Sequence, residues 1–217
     1  MRQFAQCLTA YEQAESMARV MREEVIAFKR ETILEAAAVH FYEKGYDGTR
    51  VDSIASHLGV TKPYIYYHFA NKTEILDEIC TRVTLFSVEA LQAAVAAEPQ
   101  IEAQLKRAIG DLVEWALDHQ AWIAIYFREE KYISEAARKM IAADRRTYDR
   151  LLNDLLHNAA EAGLIHVHDL RIATQALTGM ITWPFTWYRK GGRLSRDDLS
   201  DSMVQLAMNM LGYRPAD

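Results

Sequence analysis

The 217-residue sequence predicts an all-α protein of about nine helices, and three observations carry that expectation. Helix breakers are few: nine glycines and four prolines stand in a chain whose Ala, Leu, Glu and Arg residues cost little in a helix. Apolar residues recur at steps of three and four along most of the chain, the spacing that gathers them on one helical face. No stretch alternates apolar and polar residues with the period of two that a half-buried strand requires.

From the N-terminus, Phe4, Cys7, Leu8, Tyr11, Ala14, Ala18, Met21, Val25 and Phe28 keep that spacing, and Ile33, Leu34, Ala37, Phe41 and Tyr42 continue it to Gly45, a C-terminal cap. A short helix follows from Val51 to Leu58, closed by Gly59, and a second spans Lys62 to Phe69. Asn71 with Glu74 three residues on is a capping pair that opens a helix to about Ala97. Pro99 marks the next start, since proline is tolerated in a first turn. Helices are then expected over 100–117, 120–128 and 133–162, with Gly163 ending the last. Another is expected from Leu170 to Arg189, bent at Pro184 because proline removes an intrahelical hydrogen bond. After Gly191-Gly192, Ser195 and Asp198 form a capping box, with Asp197 beside it, for a final helix to about Leu211.

Composition excludes several classes. A net charge of −5 argues against wholesale coating of nucleic acid or anionic membrane, while leaving room for a local basic patch. Two cysteines, Cys7 and Cys80, supply neither a disulfide framework nor a zinc quartet and read as reduced thiols. No apolar stretch is expected to span a membrane, and Gln3, Gln6, Thr9 and Glu12 interrupt any signal-peptide run. The expectation is a cytoplasmic protein with no membrane partner.

The informative stretch is Val51 to Ile65. Ala55, Gly59 and Ile65 have the offsets of a helix-turn-helix: a small residue for close helix approach, a glycine for the positive φ of the turn, an aliphatic residue packing back. Such a unit offers its second helix to the major groove of DNA. A longer string, Phe41, Gly45, Thr49, Ile54-Ala55, Gly59-Val60, Tyr66, His68-Phe69 and Lys72, resembles the N-terminal domain of the TetR family of transcriptional repressors over about Arg30 to Leu76. The resemblance implies a two-domain homodimer. Three N-terminal helices would bind double-stranded operator DNA, and a larger C-terminal domain would bind a small effector and dimerise. The implied domains are a helical extension over 1–24, a DNA-binding domain over 25–72 and an effector-binding and dimerisation domain over 73–217.

Local chemistry agrees with the DNA-binding assignment. Between Asp52 and Glu74 there is no acidic residue, while Lys62, His68 and Lys72 lie there. Residues 25–72 hold six Lys and Arg against five Asp and Glu, so binding must rely on local geometry and not on a broad field. By position in the motif, Lys62, Pro63 and Tyr64 would begin the recognition helix within reach of base edges, and Tyr66, Tyr67 and His68 would touch backbone or bases. Lys72 would hold a phosphate, and Thr49 and Arg50 suit phosphate contacts ahead of the first motif helix.

All four tryptophans, at 115, 122, 183 and 187, lie in the C-terminal two-thirds. Trp115, Trp122, Tyr126 and Phe127 form one cluster, and Trp183, Phe185, Trp187 and Tyr188 another. Large aromatics at helical spacing are usually core or subunit interface. They also suit a ligand chamber, for which Trp115, Trp122, Tyr126, Phe127, Trp183 and Trp187 are the candidates. The segment Trp183 to Ser195 is similar to the corresponding part of TetR-family regulators of fatty-acid, sterol and aromatic-acid catabolism, which implies an acyl-CoA thioester as effector. Arg128, Lys131, Arg138, Lys139, Arg145 and Arg146 could meet its phosphates, although each taken singly better suits a solvated helix face paired with Glu129, Glu130, Glu135 or Asp144. An alternative is a repressor of an efflux gene responding to aromatic or cationic lipophiles.

A metal-dependent enzyme is the rival class, because His166-Val167-His168-Asp169 sets possible ligands close together. No third or fourth ligand accompanies them, and no phosphate loop or nucleophile elbow is present. A non-enzymatic regulator without cofactor or metal is therefore expected. Its dimer interface is assigned to Leu177, Ile181, Leu199, Met203, Leu206 and Met210, and residues 1–24 to a helical prolongation whose apolar stripe associates with another surface.

Overall fold

The computed structural model describes the backbone of residues 2–215 and the side chains of residue 17 and residues 19–215. Among the described residues there are nine α-helices and no strand. They are α1 Arg2–Gly48, α2 Val51–His57, α3 Lys62–His68, α4 Lys72–Ala97, α5 Ile101–Asp118, α6 Gln120–Arg128, α7 Glu135–Glu161, α8 Leu170–Thr182 and α9 Arg196–Met210. Short 3-10 turns occupy Glu130–Tyr132 and Trp183–Thr186.

The chain forms two compact units, Met1–Ile75 and Leu76–Asp217, divided within α4. In the first, Ile33, Leu34, Ala37 and Phe41 of α1 are buried with Ile54 and Ala55 of α2, Ile65 of α3, and Phe69 and Ile75. The second is built on long helices, with Leu105, Ile109 and Val113 of α5 buried beside Leu152, Leu155 and Leu156 of α7 and Leu177 of α8.

Local signals act where expected. Gly45 interrupts helical backbone at φ 71, and Gly59 ends α2 at φ 66, where L side chains are strained. Asn71 accepts from the Glu74 N–H at 2.9 Å, while Glu74 reaches back to the Ala70 N–H at 2.6 Å. Ser195 caps α9 as expected, and Ser134 and Asp169, not read as caps in the sequence, cap α7 and α8.

Several expectations need correction. The helix expected to bend at Pro184 stops at Thr182 instead, and the chain tightens into a 3-10 turn. Proline both lacks the donor and crowds the preceding turn, and here the break is complete. One helix, α4, is long and apolar enough by length and composition to cross a membrane. Its Ile79, Cys80, Leu91 and Ala94 are buried inside the fold, as in the core helix of a globular protein. Of the assigned dimer residues, Leu177, Ile181, Leu199 and Met203 belong to the chain's own core, whereas Leu206 and Met210 are exposed. Periodicity alone does not distinguish a stripe facing a neighbouring helix from one facing a second subunit.

Helical backbone does run from Arg2 into the first unit. The side chains of the stripe from Phe4 to Ala14, and of Ala18, lie outside the described residues, as does Cys7. Those of Met17, Met21, Val25 and Phe28 are exposed.

Candidate nucleic-acid interface and ligand cavity

In the first unit the motif's backbone is that of a tight helix-turn-helix. The Leu58 N–H bonds the Ile54 carbonyl at 3.2 Å, the Gly59 N–H that of Ser56 at 3.2 Å and the Val60 N–H that of Ala55 at 3.0 Å. Buried Ile65 anchors α3, and most of its other side chains are open to solvent. On that face Pro63 is exposed, Tyr64 half-buried, Tyr66 exposed and Tyr67 79% exposed. The Lys62 Nζ reaches the Asp52 carboxylate at 2.9 Å. That hydrogen bond is the chief cause holding Asp52 below its usual carboxylate range and Lys62 above its own. Arg50 is exposed just ahead of α2.

Other residues named from the motif serve the fold. Thr49 is buried, and its hydroxyl is shared between the carbonyls of His40 (3.0 Å) and Gly45 (2.8 Å). Its side chain is therefore inside the unit, not at a phosphate-facing surface. Lys72 donates to the carbonyls of Tyr46 (2.7 Å) and Thr49 (2.9 Å), with its ammonium 4.1 Å from the centroid of the Tyr46 ring. His68 is buried between the rings of Tyr64 and Tyr67, each 5.0 Å away centre to centre. Burial above all, then the charges of Lys29 and Arg30, holds its imidazole below the ordinary range.

Sequence reasoning missed Arg30. Its guanidinium donates to the His68 carbonyl at the end of α3, meets Glu74 at 3.4 Å and lies 4.0 Å over the Phe69 ring. A cation at a helix C-terminus meets the negative end of the dipole and satisfies a carbonyl the helix leaves unpaired. Its charge alone gives no hint of this, since an Arg thirty-eight residues from its partner has no local signature.

In the second unit α4, α5, α6, α7 and α8 enclose a cavity of about 380 Å³. Val83, Leu112, Ala116, Ile123 and Ile181 give it an apolar wall. Of the six ring candidates, Trp115, Tyr126 and Phe127 line it; Trp122 is packed into the core, and Trp183 and Trp187 are exposed elsewhere on the unit. Trp115 is held between two flat rings, Phe86 at 4.6 Å and His119 at 4.5 Å.

The polar lining comes mainly from α7 and α8, and of it the sequence pointed to Arg145 alone. Arg145, Tyr148 and Asp149 line the cavity from α7, and Gln175, Thr178, Gly179 and Thr182 from α8. The signal was available: polar residues at steps of three and four on otherwise apolar inner faces. They bond one another, Arg145 to the Tyr126 hydroxyl at 2.5 Å, Tyr148 to Thr178 at 3.1 Å and Gln175 to Asp149 at 3.2 Å. Burial pushes the Tyr148 phenol up to about 12 and raises that of Tyr126, so both stay protonated at neutral pH. Of the six cations considered for a CoA phosphate, Arg145 lines the cavity. Arg138 bonds the backbone carbonyls of Glu130, Lys131 and Ile133, and Lys139 pairs with Glu135.

The His166-Val167-His168-Asp169 segment does other work: Asp169 accepts from the N–H groups of Arg171 and Ile172 as the cap of α8. Among the described residues no group of three or more His, Cys, Asp or Glu is placed to hold a metal ion.

Comparison with known proteins bears on both units. Residues 33–79 match the family described as bacterial regulatory proteins, tetR family, and residues 98–211 match the tetracyclin repressor-like C-terminal domain. The transcriptional repressor KstR2 of Mycobacterium tuberculosis is 24% identical over 182 residues, covering 83% of this chain and 91% of that protein. Its solved structure superposes with a TM-score of 0.75 at 22% identity, over 86% of this chain and 96% of that one. The transcriptional activator FasR of Mycolicibacterium smegmatis is 26% identical over 196 residues, 86% of this chain and 84% of that protein. AibR, solved in complex with isovaleryl coenzyme A and operator DNA, superposes with a TM-score of 0.69 at 24% identity, over 82% of this chain and 97% of that one.

Proposed function

The chain belongs to the tetR family of bacterial regulatory proteins and is a transcriptional regulator of that type, and from this premise we propose that it is a homodimeric repressor released by an acyl-CoA thioester. The observation that carries the reading is a divided chain: one unit presents an aromatic, acid-free recognition helix, and the other encloses an amphipathic cavity. Lys62, Pro63, Tyr64, Tyr66 and Tyr67 of α3 meet base edges and sugar-phosphate in the major groove, with Arg50 on a phosphate. Thr49, His68 and Lys72 act one layer back, by holding the backbone that presents them.

The acyl group lies against Val83, Leu112, Ile123 and Phe127, and Arg145 meets the polar end. At about 380 Å³ the cavity suits a short acyl chain, with the nucleotide portion outside. That AibR was solved with isovaleryl coenzyme A supports the choice of effector class, and that KstR2 is a repressor supports repression. A second reading, an efflux regulator taking lipophilic cations, has one observation in its favour: the Asp149 carboxylate in a cavity lined by Trp115, Tyr126 and Phe127. The exposed apolar residues of the last helices, Ile172, Leu206 and Met210, supply a subunit interface. The protein acts in the cytoplasm, where operator DNA is.

The test is fluorescence anisotropy on DNA from upstream of the protein's own gene, across a salt series. The expected result is salt-sensitive, sequence-specific binding to a near-palindrome with half-sites about 34–36 Å apart, lost on adding isovaleryl-CoA. Release by a lipophilic cation and not by any acyl-CoA would favour the second reading, and equal affinity for unrelated DNA would overturn the repressor assignment.

A further inference from the structure

The hydroxyl groups around the cavity of the second unit decide what kind of guest it takes. Six residues bring one to the lining: Thr84 and Ser87 of α4, Tyr126 of α6, Tyr148 of α7, and Thr178 and Thr182 of α8. A hydroxyl has one proton to give and two lone pairs with which to accept. Carbonyl and carboxylate oxygens only accept, so a hydroxyl bonded to one of them has spent its proton. Ser87 donates to the Val83 carbonyl at 3.1 Å and Thr182 to that of Thr178 at 2.9 Å. Thr84 shares its proton between the Asp144 carboxylate at 2.9 Å and the Thr81 carbonyl at 3.0 Å. Thr178 donates to the Thr174 carbonyl at 2.8 Å, so in its 3.1 Å contact with Tyr148 it accepts, and the phenol is the donor.

Five of the six protons are therefore used within the protein, and what those groups offer a guest is lone pairs. Tyr148 and Thr178 set two such oxygens side by side, between α7 and α8. The strongest donor of the lining is Arg145, three residues before Tyr148 on the same helix and so on the same face. Its Nε donates to the Tyr126 hydroxyl at 2.5 Å, which leaves its Nη groups and the Tyr126 proton to give. One turn of α7 thus separates a place that donates from a place that accepts.

We propose that the effector is an acyl thioester whose chain carries a hydroxyl group. Its carbonyl accepts from Arg145 and Tyr126, and its hydroxyl donates to the Tyr148–Thr178 pair. This deepens the thioester reading given above and rests on it. A chain of hydrocarbon alone covers the lone pairs of that pair, strips them of water and returns no hydrogen bond. A keto group in the same place sets acceptor against acceptor. A hydroxyl supplies the missing proton, while Leu112, Ile123 and Ile181 take the apolar remainder of a chain of a few carbons.

Isothermal titration calorimetry on the full-length protein tests this with ligands that differ at one carbon. They are butyryl-CoA, 3-hydroxybutyryl-CoA as each enantiomer, and acetoacetyl-CoA, which has a keto group at that carbon; 4-hydroxybutyryl-CoA moves the hydroxyl one carbon on. At least one hydroxylated ligand is expected to bind roughly tenfold tighter than butyryl-CoA, and acetoacetyl-CoA no tighter than butyryl-CoA. Tyr148→Phe should cut the preference to about twofold or less. Thr178→Val leaves the Tyr148 proton without an acceptor, so preference should turn toward acetoacetyl-CoA. Equal binding of butyryl-CoA and every hydroxylated ligand would overturn the inference and leave the thioester reading standing. So would an equal gain from the keto group in the unaltered protein, or a folded Tyr148→Phe that keeps the full preference. Binding of none of these thioesters would remove the thioester reading itself, and this inference with it. The ranking in the unaltered protein decides even where a variant fails to fold.

Discussion

The two units put their polar side chains to different uses. In the first, Arg30, Thr49 and Lys72 bond backbone carbonyls and hold in place helices of only seven residues. Helices that short have no independent stability, so side chains must satisfy the backbone groups their ends leave open. In the second unit, with helices of 18 and 27 residues, Arg145, Tyr148, Asp149 and Gln175 of the cavity bond other side chains, while its threonines and Ser87 also donate to carbonyls of their own helices. A side chain that bonds backbone is committed to the fold. A pair of side chains facing a cavity can exchange partners for a guest at little cost to the fold.

The comparison is broken most directly at Arg30. Arg30→Ala removes the carbonyl contact, the Glu74 pair and the stacking on Phe69 together, and the expected loss is about 1–3 kcal/mol of stability in the first unit. Lys72→Ala acts in the same direction, lowering operator affinity through a loosened turn and not through a lost phosphate contact. All four tryptophans lie beyond residue 75, so tryptophan emission follows the second unit alone. Far-ultraviolet circular dichroism should therefore melt earlier in both variants while the tryptophan transition stays in place. A shift of the two signals together would mean that the polar anchors of the first unit are not local.

The cavity is the converse case. Gly179 lines it, and a Cβ built there meets no atom within 4 Å. Gly179→Ala is expected to raise stability by about 0.5–1 kcal/mol through helix propensity alone. Gly179→Leu should intrude on the cavity and weaken the response to isovaleryl-CoA by about tenfold or more, with operator affinity unchanged. Thermal unfolding reads the first effect, and titration of operator release against ligand concentration reads the second.

The same contrast explains what could be read in advance. Helices, caps and the turn at Gly59 were legible because each rests on residues close in sequence. The exposed positions of α3, Pro63, Tyr66 and Tyr67, were legible for the same reason, through a motif of fixed offsets. Thr49 and Lys72 looked like surface residues because hydroxyl and ammonium groups mark a phosphate contact and a carbonyl anchor alike. Arg30 and the polar lining from α7 and α8 depend on contacts between distant segments, and Trp183 and Trp187 were misassigned because aromatic content does not say which side of a helix faces a cavity.

Proton binding gives a smaller effect confined to the first unit. His40 and His68 both titrate below the ordinary range, with burial the first cause in each. The folded state therefore keeps them neutral where the unfolded chain, titrating near 6.5, takes up protons. Stability then falls as pH drops through about 6.5 and levels off below the folded-state values. The circular dichroism midpoint should decline between pH 7.5 and 5.5, and His68→Gln should flatten that decline. An unaltered slope in His68→Gln would remove His68 from the account.

The smallest expected effect lies at the surface, where an ion pair does little for the fold and can still matter to DNA. Lys62 and Asp52 are 2.9 Å apart and open to water, so solvent and salt screen their attraction. Because Lys62 depresses the Asp52 carboxyl, the pair persists across the neutral range and loosens only in acid. In the proposed operator complex the same lysine would face phosphate, and the carboxylate beside it would repel the backbone it approaches. Asp52→Asn should leave the melting midpoint where it is and tighten operator binding several-fold at low salt, an advantage that shrinks as salt rises. Lys62→Ala should reduce the salt slope by about one counterion. If Asp52→Asn lowers the midpoint or leaves affinity unchanged at every salt concentration, the pair belongs to the scaffold with Thr49 and Lys72, and the boundary between anchoring and reading residues on α3 moves outward by one side chain.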